Sequence, residues 1–248
     1  MNVLNTFGRV GANVTAVTRS VFAGRDTYAS SPSRETISVN GVLQVTGKQN
    51  PQSQEHVAAE QYRKIRTRIA NHASQPRIIL VTSPNSGDGK TTTSIHIAAA
   101  MSLQENARVL LVDCDFRCAG ASCALNLGPS PGLKEHLSNS AELDGVLSSV
   151  AGFPQLFVLP SGVAPCSPAE MLTTRKWHDF LEQALSDFEL LILDGPSFDS
   201  VVEYELLQMA SHGVIFVVRQ EHTNRDAWTR ARNSVPQEKQ LGLVLNCA

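Results

Sequence analysis

Three short stretches of this chain combine residues that grip phosphate with residues that hold a hard cation. The first, Ser86-Gly87-Asp88-Gly89-Lys90-Thr91, follows the apolar run Ile78-Ile79-Leu80-Val81 and precedes 92–103, whose alanine and apolar content suits a buried helix. Strand, glycine-rich loop and helix form the setting in which a backbone can wrap a phosphate. Gly87 and Gly89 free the chain to turn its N–H groups inward, and the positive end of the helix adds attraction. Lys90 would reach the β and γ phosphates, and Thr92 lies within reach of the same anion. Thr91 offers a hydroxyl to magnesium, which keeps waters and takes only one or two protein oxygens beside the phosphates. The loop departs from the GxxxxGK(S/T) pattern at its first glycine, which is Pro84. By itself this stretch also fits an ordinary glycine turn.

The other two stretches argue against that bland alternative. Val109-Leu110-Leu111-Val112 ends in Asp113-Cys114-Asp115-Phe116-Arg117, and Leu190-Leu191-Ile192-Leu193 ends in Asp194-Gly195-Pro196. Both carboxylates leave a strand at its C-terminus. In an open parallel sheet the ligand crevice lies outside those ends, so the three motifs should meet on one side of the protein. Together they describe a nucleoside triphosphate site.

The elements needed to position them can be placed coarsely. A helix is expected over 58–70, and strands near 77–83, 107–113, 156–160, 188–194, 213–219 and 241–246, with helical patterns between most of them. That alternation predicts an α/β fold of the P-loop NTPase type, a mostly parallel β-sheet flanked by helices on both faces. With 248 residues, 42% hydrophobic content and a formal net charge of −2, the composition is that of one main globular domain with no basic surplus for nucleic acid. No run approaches the roughly 20 apolar residues that span a bilayer, and no signal-peptide pattern is present, so a soluble cytoplasmic protein is expected. The five cysteines lack paired zinc spacing and are read as reduced thiols; the seven histidines are scattered.

The domain organisation expected is a basic amphipathic helix over 1–25, a flexible linker over 26–55 and the nucleotide-binding domain over 56–248. In the first segment Val3, Phe7, Val10, Val14, Val17 and Val21 recur at steps of four and three, with Arg9, Arg19 and Arg25 and no acidic residue before Asp26. Such a stripe suits an anionic membrane surface or a partner helix. Gly8, Gly11 and the valines weaken it as a helix, and a frayed extension that binds nothing is the alternative.

From about Val57 onward the chain resembles the bacterial tyrosine kinases of capsule and exopolysaccharide synthesis. The resemblance rests on Glu60-Gln61-Tyr62-Arg63-Lys64-Ile65-Arg66-Thr67, the glycine loop, Val112-Asp113-Cys114-Asp115-Phe116-Arg117, Pro131-Gly132-Leu133, Ser167-Pro168-Ala169-Glu170-Met171-Leu172, Asp194-Gly195-Pro196 and Gly242-Leu243-Val244-Leu245-Asn246. The related ParA/MinD ATPases share the fold but carry a lysine where this chain has Asn85. The resemblance implies ATP and magnesium as cofactors, a Walker A loop at 86–91, a second acidic motif at Asp113 and Asp115, and a Walker B aspartate at Asp194. Thr91, Asp113 and Asp194 then hold the metal, Asp113 takes the proton of the acceptor tyrosine, and Asp115 assists the metal or positions the acceptor. A pair between Asp115 and Arg117 across the loop is the structural alternative for those two residues. Asn246 is expected to contact adenine.

The family also implies subunit contacts in a homo-oligomeric ring through Glu60, Arg63 and Arg66, for which a solvated charged stripe is the alternative. It further implies a separate transmembrane chain-length regulator as partner. Family members commonly carry a tyrosine-dense tail, whereas this sequence closes on Leu245-Asn246-Cys247-Ala248 and contains only Tyr28, Tyr62 and Tyr204. Tyr62 and Tyr204 fall in expected helices, which leaves Tyr28 as the candidate acceptor. Glu203 stands where the family often has Asp, and Ser197 replaces a frequent proline. Besides a kinase, two readings stay open: a MinD-like ATPase switch in which Asp113 activates water, and a weakly catalytic nucleotide-binding subunit of polysaccharide export.

Overall fold

The computed structural model of the chain describes residues 54–105, 107–127, 131–200 and 202–247, with three short strands ahead of them. Those strands are β1 (Thr6–Phe7), β2 (Val17–Arg19) and β3 (Glu35–Ile37). The described parts of 1–25 are therefore extended where a helix was expected. The remainder of that expected helix, most of the expected 26–55 linker and Tyr28 lie outside the described residues.

The main sheet is built from β4 (Ile78–Thr82), β5 (Val109–Asp113), β6 (Ser148–Val150), β7 (Phe153–Leu159), β8 (Leu190–Asp194), β9 (Gly213–Arg219) and β10 (Gln240–Asn246). Strand order is β1-β10-β9-β4-β8-β5-β7-β6-β3-β2. Every neighbouring pair from β10 across to β7 is parallel, while β6 runs antiparallel to β7 and β2 antiparallel to β3. The six strands expected from sequence all exist, each within three residues of its expected ends; β6 was not foreseen.

Parallel strands covered on both faces must be apolar on both, and β4, β5 and β8 are buried along their whole length. The strand period of two sorts their residues between two cores. Ile79, Val81, Val109, Leu111 and Ile192 face one layer, and Ile78, Leu80, Leu110, Val112, Leu191 and Leu193 face the other. The first layer contains α1 (Gln54–Ala70), α2 (Lys90–Ser102) and α3 (Gly120–Ala124). The second contains α4 (Leu133–Leu137), α5 (Leu143–Val146), α6 (Pro168–Leu172), α7 (Arg175–Asp187), α8 (Val202–Ala210) and α9 (Arg225–Asn233).

Each major helix shows why its sequence sits where it does. In α2 the run Ile95-His96-Ile97-Ala98-Ala99-Ala100 is buried all round, as a helix between α1 and the sheet must be, and its small residues permit close approach. In α7, Trp177, Phe180, Leu181 and Ala184 form one apolar stripe, and the Thr174 hydroxyl caps the N-terminus by accepting from the Trp177 N–H at 3.3 Å. Helix α1 docks on α2 through Tyr62, stacked on His96 with ring centroids 4.7 Å apart and planes 11° from parallel. Tyr204, the third tyrosine, is buried on α8, so both described tyrosines pack in the core. Among the described residues no helix is long and apolar enough to cross a membrane.

Candidate nucleotide site

All three motifs converge at the C-terminal edge of the sheet. Strand β8 lies between β4 and β5, with Asp194 in register with Val81 on one side and Asp113 on the other. Strand β4 feeds the glycine loop. Gly87 and Gly89 hold φ of 84° and 96°, backbone conformations that a side chain disfavours, and Gly89 delivers the chain into α2 with Lys90 as its first residue. The sequence thus places a loop of turning amides, a helix N-terminus and two aspartates around one point.

The acidic groups differ sharply in their surroundings. The Asp194 Oδ1 accepts the Ser94 hydroxyl at 2.8 Å, but its Oδ2 is buried with no hydrogen-bond partner. Burial, and then the nearby Asp113 charge, push the Asp194 carboxyl up to about 7, against the pull of Ser94, Lys90 and Thr91. Asp113 is also raised, chiefly by burial, although its Oδ2 accepts both the hydroxyl (2.6 Å) and the N–H (2.8 Å) of Ser122. Its Oδ1 accepts only a long bond, 3.3 Å, from the Asp115 N–H. Two raised carboxylates side by side, one with an orphaned oxygen, are what a cation would relieve. Gly120 opens α3 beside the loop, where an added Cβ would stand 2.5 Å from Thr91 Oγ1 and 3.4 Å from Asp194 Oδ2. The donor set of a hydroxyl and two carboxylates matches the oxygen preference of magnesium.

Lys90 and Asp115 form a buried ion pair at 3.0 Å, with their side chains 9% and 5% exposed. Arg117 instead pairs with Glu203 at the start of α8, at 3.3 Å. The Asp115–Arg117 pair considered from sequence is therefore replaced by two different pairs, because α8 brings Glu203 against the loop and Lys90 enters from α2.

Asp88 lies within the loop with its carboxylate buried. Oδ2 accepts the Asn85 N–H at 2.9 Å, and Oδ1 accepts His222 Nδ1 and the Thr223 hydroxyl, each at 2.8 Å. Asn246, expected at adenine, lies against the loop and donates its side-chain N–H to the Asp88 carbonyl at 3.1 Å. Ser83, Ser86, Thr91 and Thr92 line the same turn; the Thr92 carbonyl accepts His96 Nδ1 at 2.7 Å. Sequence reasoning passed over Ser94, Ser122, His222 and Thr223. A serine four residues after the lysine was the one available signal, since i and i+4 share a helix face.

Beside the site, Glu135 organises the segment after β7. The N–H groups of Gly132 (2.7 Å), Val163 (2.9 Å) and Ala164 (2.6 Å) all donate to its carboxylate. Burial pushes that carboxyl upward, but these donors outweigh it and hold it below the usual range. A Cβ at Gly162, where φ is +85°, would run into the same carboxylate. This explains the Pro131-Gly132-Leu133 motif as support for the loop leading to Ser161, whose N–H reaches Ser122 Oγ at 3.4 Å.

The residues expected to assemble a ring lie on α1. Glu60 and Arg63 form an ion pair and both are partly exposed; Arg66 reaches the Ala100 carbonyl at 3.5 Å. All five cysteines are free thiols.

The model of the CobQ/CobB/MinD/ParA nucleotide binding domain matches residues 79–245. The chain is 30% identical over 190 residues to the tyrosine-protein kinase CpsD of Streptococcus agalactiae, covering 75% of this chain and 82% of that protein. It is 28% identical over 192 residues to the tyrosine-protein kinase YwqD of Bacillus subtilis, covering 76% and 80%. Among solved structures, the chimerical protein CapA2B2 superposes with a TM-score of 0.73 at 28% identity, over 85% of this chain and 92% of that one.

Proposed function

The chain belongs to the CobQ/CobB/MinD/ParA nucleotide-binding family, in its tyrosine-protein kinase branch, and from that membership we propose that it binds ATP at the 86–91 loop and transfers the γ-phosphoryl group to tyrosine hydroxyls. The observation that carries the proposal is the buried Asp194, in register with Asp113 and close to Thr91 at the mouth of a glycine loop. Thr91, Asp113 and Asp194 would hold magnesium, which neutralises phosphate charge when bound. Phosphoryl transfer passes through a loose transition state, so the protein contributes mainly alignment and charge neutralisation.

Lys90 supplies that charge from within the site. Lys90 is paired with Asp115, and a triphosphate would compete for it, freeing Asp115 to help the metal or position the acceptor. A tyrosine hydroxyl has a pKa near about 10, so its attack on phosphorus benefits from a carboxylate that takes its proton. Asp113 fills that role best. Ser122 holds its Oδ2 in place, and its Oδ1 accepts only a long bond from the Asp115 N–H.

As kin of the capsule and exopolysaccharide kinases, the protein would act on polymerisation and export of a surface polysaccharide with a separate transmembrane regulator. Glu60, Arg63 and Arg66 would then contact the next subunit of a ring, delivering a tyrosine to the neighbouring site. The basic stripe over 1–25 would give peripheral contact with the inner membrane face.

The test is incubation of purified protein with γ-labelled ATP and magnesium, with and without source-cell membranes, beside Lys90→Met. Phosphotyrosine that disappears in the variant establishes the kinase. Free phosphate alone would place the chain with the ATPase switches, and nucleotide binding without either product with non-catalytic subunits.

A further inference from the structure

A carboxylate inside a phosphate-binding loop repels the ligand unless it is turned away and satisfied. Asp88 is such a carboxylate, fully buried between Gly87 and Gly89. Its three donors come from two directions: Asn85 within the loop, and His222 and Thr223 from the turn between β9 and α9. That turn is itself tightly built. The Thr223 hydroxyl accepts the Arg219 N–H at 2.9 Å while donating to Asp88, the Thr223 N–H donates to the Arg219 carbonyl at 3.0 Å, and Glu221 takes a left-handed φ of 61°. The Gln220 N–H donates to the Asn246 carbonyl at 2.8 Å, tying the turn to the end of β10.

The loop carbonyls are claimed from the same side. Arg219 Nη1 lies 3.4 Å from the Gly87 carbonyl oxygen, and Asn246 Nδ2 lies 3.1 Å from that of Asp88. Across a trans peptide the carbonyl of one residue and the N–H of the next point in opposite directions. Holding these two carbonyls outward therefore aims the N–H groups of Asp88 and Gly89 inward, where phosphate oxygens would sit. Free peptide planes flanked by Gly87 and Gly89 could flip, since glycine tolerates either orientation.

We infer that Arg219, His222, Thr223 and Asn246 form a brace that fixes the peptide planes of the glycine loop, with His222 and Thr223 acting as positioning residues through Asp88. The brace sets affinity for the phosphate chain of the nucleotide and touches neither the transferred phosphoryl group nor the acceptor. It rests on the reading of this loop as the phosphate cradle.

Thr223→Val keeps the shape and removes the donor; Thr223→Ser restores it; His222→Ala, at a side chain that is 48% exposed, removes the second donor with little risk to folding. Dissociation constants are measured for ATP, inorganic tripolyphosphate and adenosine with magnesium present, by competition against a fluorescent nucleotide. The expected result is a loss of about tenfold for ATP and for tripolyphosphate in Thr223→Val, a smaller loss in His222→Ala, no more than a twofold change for adenosine, and recovery in Thr223→Ser. KM for ATP should rise with kcat nearly unchanged. Equal losses for adenosine, or unchanged tripolyphosphate affinity in both variants, would overturn the brace. Because the readout is affinity, a chain that bound ATP but phosphorylated no tyrosine would sink the kinase reading and leave the brace decidable.

Discussion

Acidification should loosen the contact between the charged helix α1 and the helix that follows the phosphate loop. His96 is buried on α2, stacked on Tyr62 of α1, with its Nδ1 donating to the Thr92 carbonyl. Burial lowers its pKa to about 4, the Thr92 bond acting weakly the other way, while burial pushes the Tyr62 phenol up. The unfolded chain takes up the His96 proton near about pH 6.5, and the folded one only near 4. Between those values the unfolded state binds more protons, so the stability from keeping His96 neutral is present above about 6.5 and is lost as pH falls toward 4. The loss amounts to about 2 kcal/mol by pH 5 and about 3 kcal/mol in full. Urea unfolding of the chain and of His96→Gln, followed from pH 7.5 to pH 5, isolates this term because all other titrations are shared. The wild-type chain should lose about 2 kcal/mol more than the variant over that range. Parallel curves would refute the assignment of a neutral, desolvated imidazole at the α1–α2 contact.

Three further outcomes follow from the site. Gly120→Ala places a methyl group against the Thr91 hydroxyl, so kcat for phosphoryl transfer should fall about 10- to 100-fold with the melting temperature little changed, checked by steady-state kinetics beside thermal unfolding. Glu135→Gln leaves its three N–H donors with one amide oxygen in place of a carboxylate; the expected cost is about 1.5–3 kcal/mol, with faster proteolysis in 160–167. A double-mutant cycle on Arg117→Ala and Glu203→Ala should give a coupling under about 1 kcal/mol, since Arg117 is 64% exposed and solvent screens the pair.

What sequence made legible here is what local physics dictates. Uniformly apolar runs such as Ile78–Thr82 and Leu190–Asp194 read as strands because burial on both faces leaves no other use for them. Asp113 and Asp194 stand out in the sequence because each closes such a run, and the register of β5 with β8 sets them side by side. The strand β6 escaped because Ser148-Ser149-Val150 is too short and too polar to show a period of two; its pairing with β7 supplies what its composition lacks. The partners of the charged groups escaped for a different reason. Asp115 has Arg117 two residues away, yet Lys90 and Glu203 reach these side chains first, and both arrive by tertiary packing. The same holds for Asp88, whose role in the loop depends on His222 and Thr223, 134 and 135 positions further along the chain. A motif therefore names residues at the edge of the sheet, while the groups that hold them are scattered wherever the fold returns to that edge. In this protein that edge is reached by the ends of β4, β5, β8, β9 and β10. The last two carry no recognised nucleotide motif beyond Asn246, and they supply the donors that turn a glycine-rich loop into an oriented one.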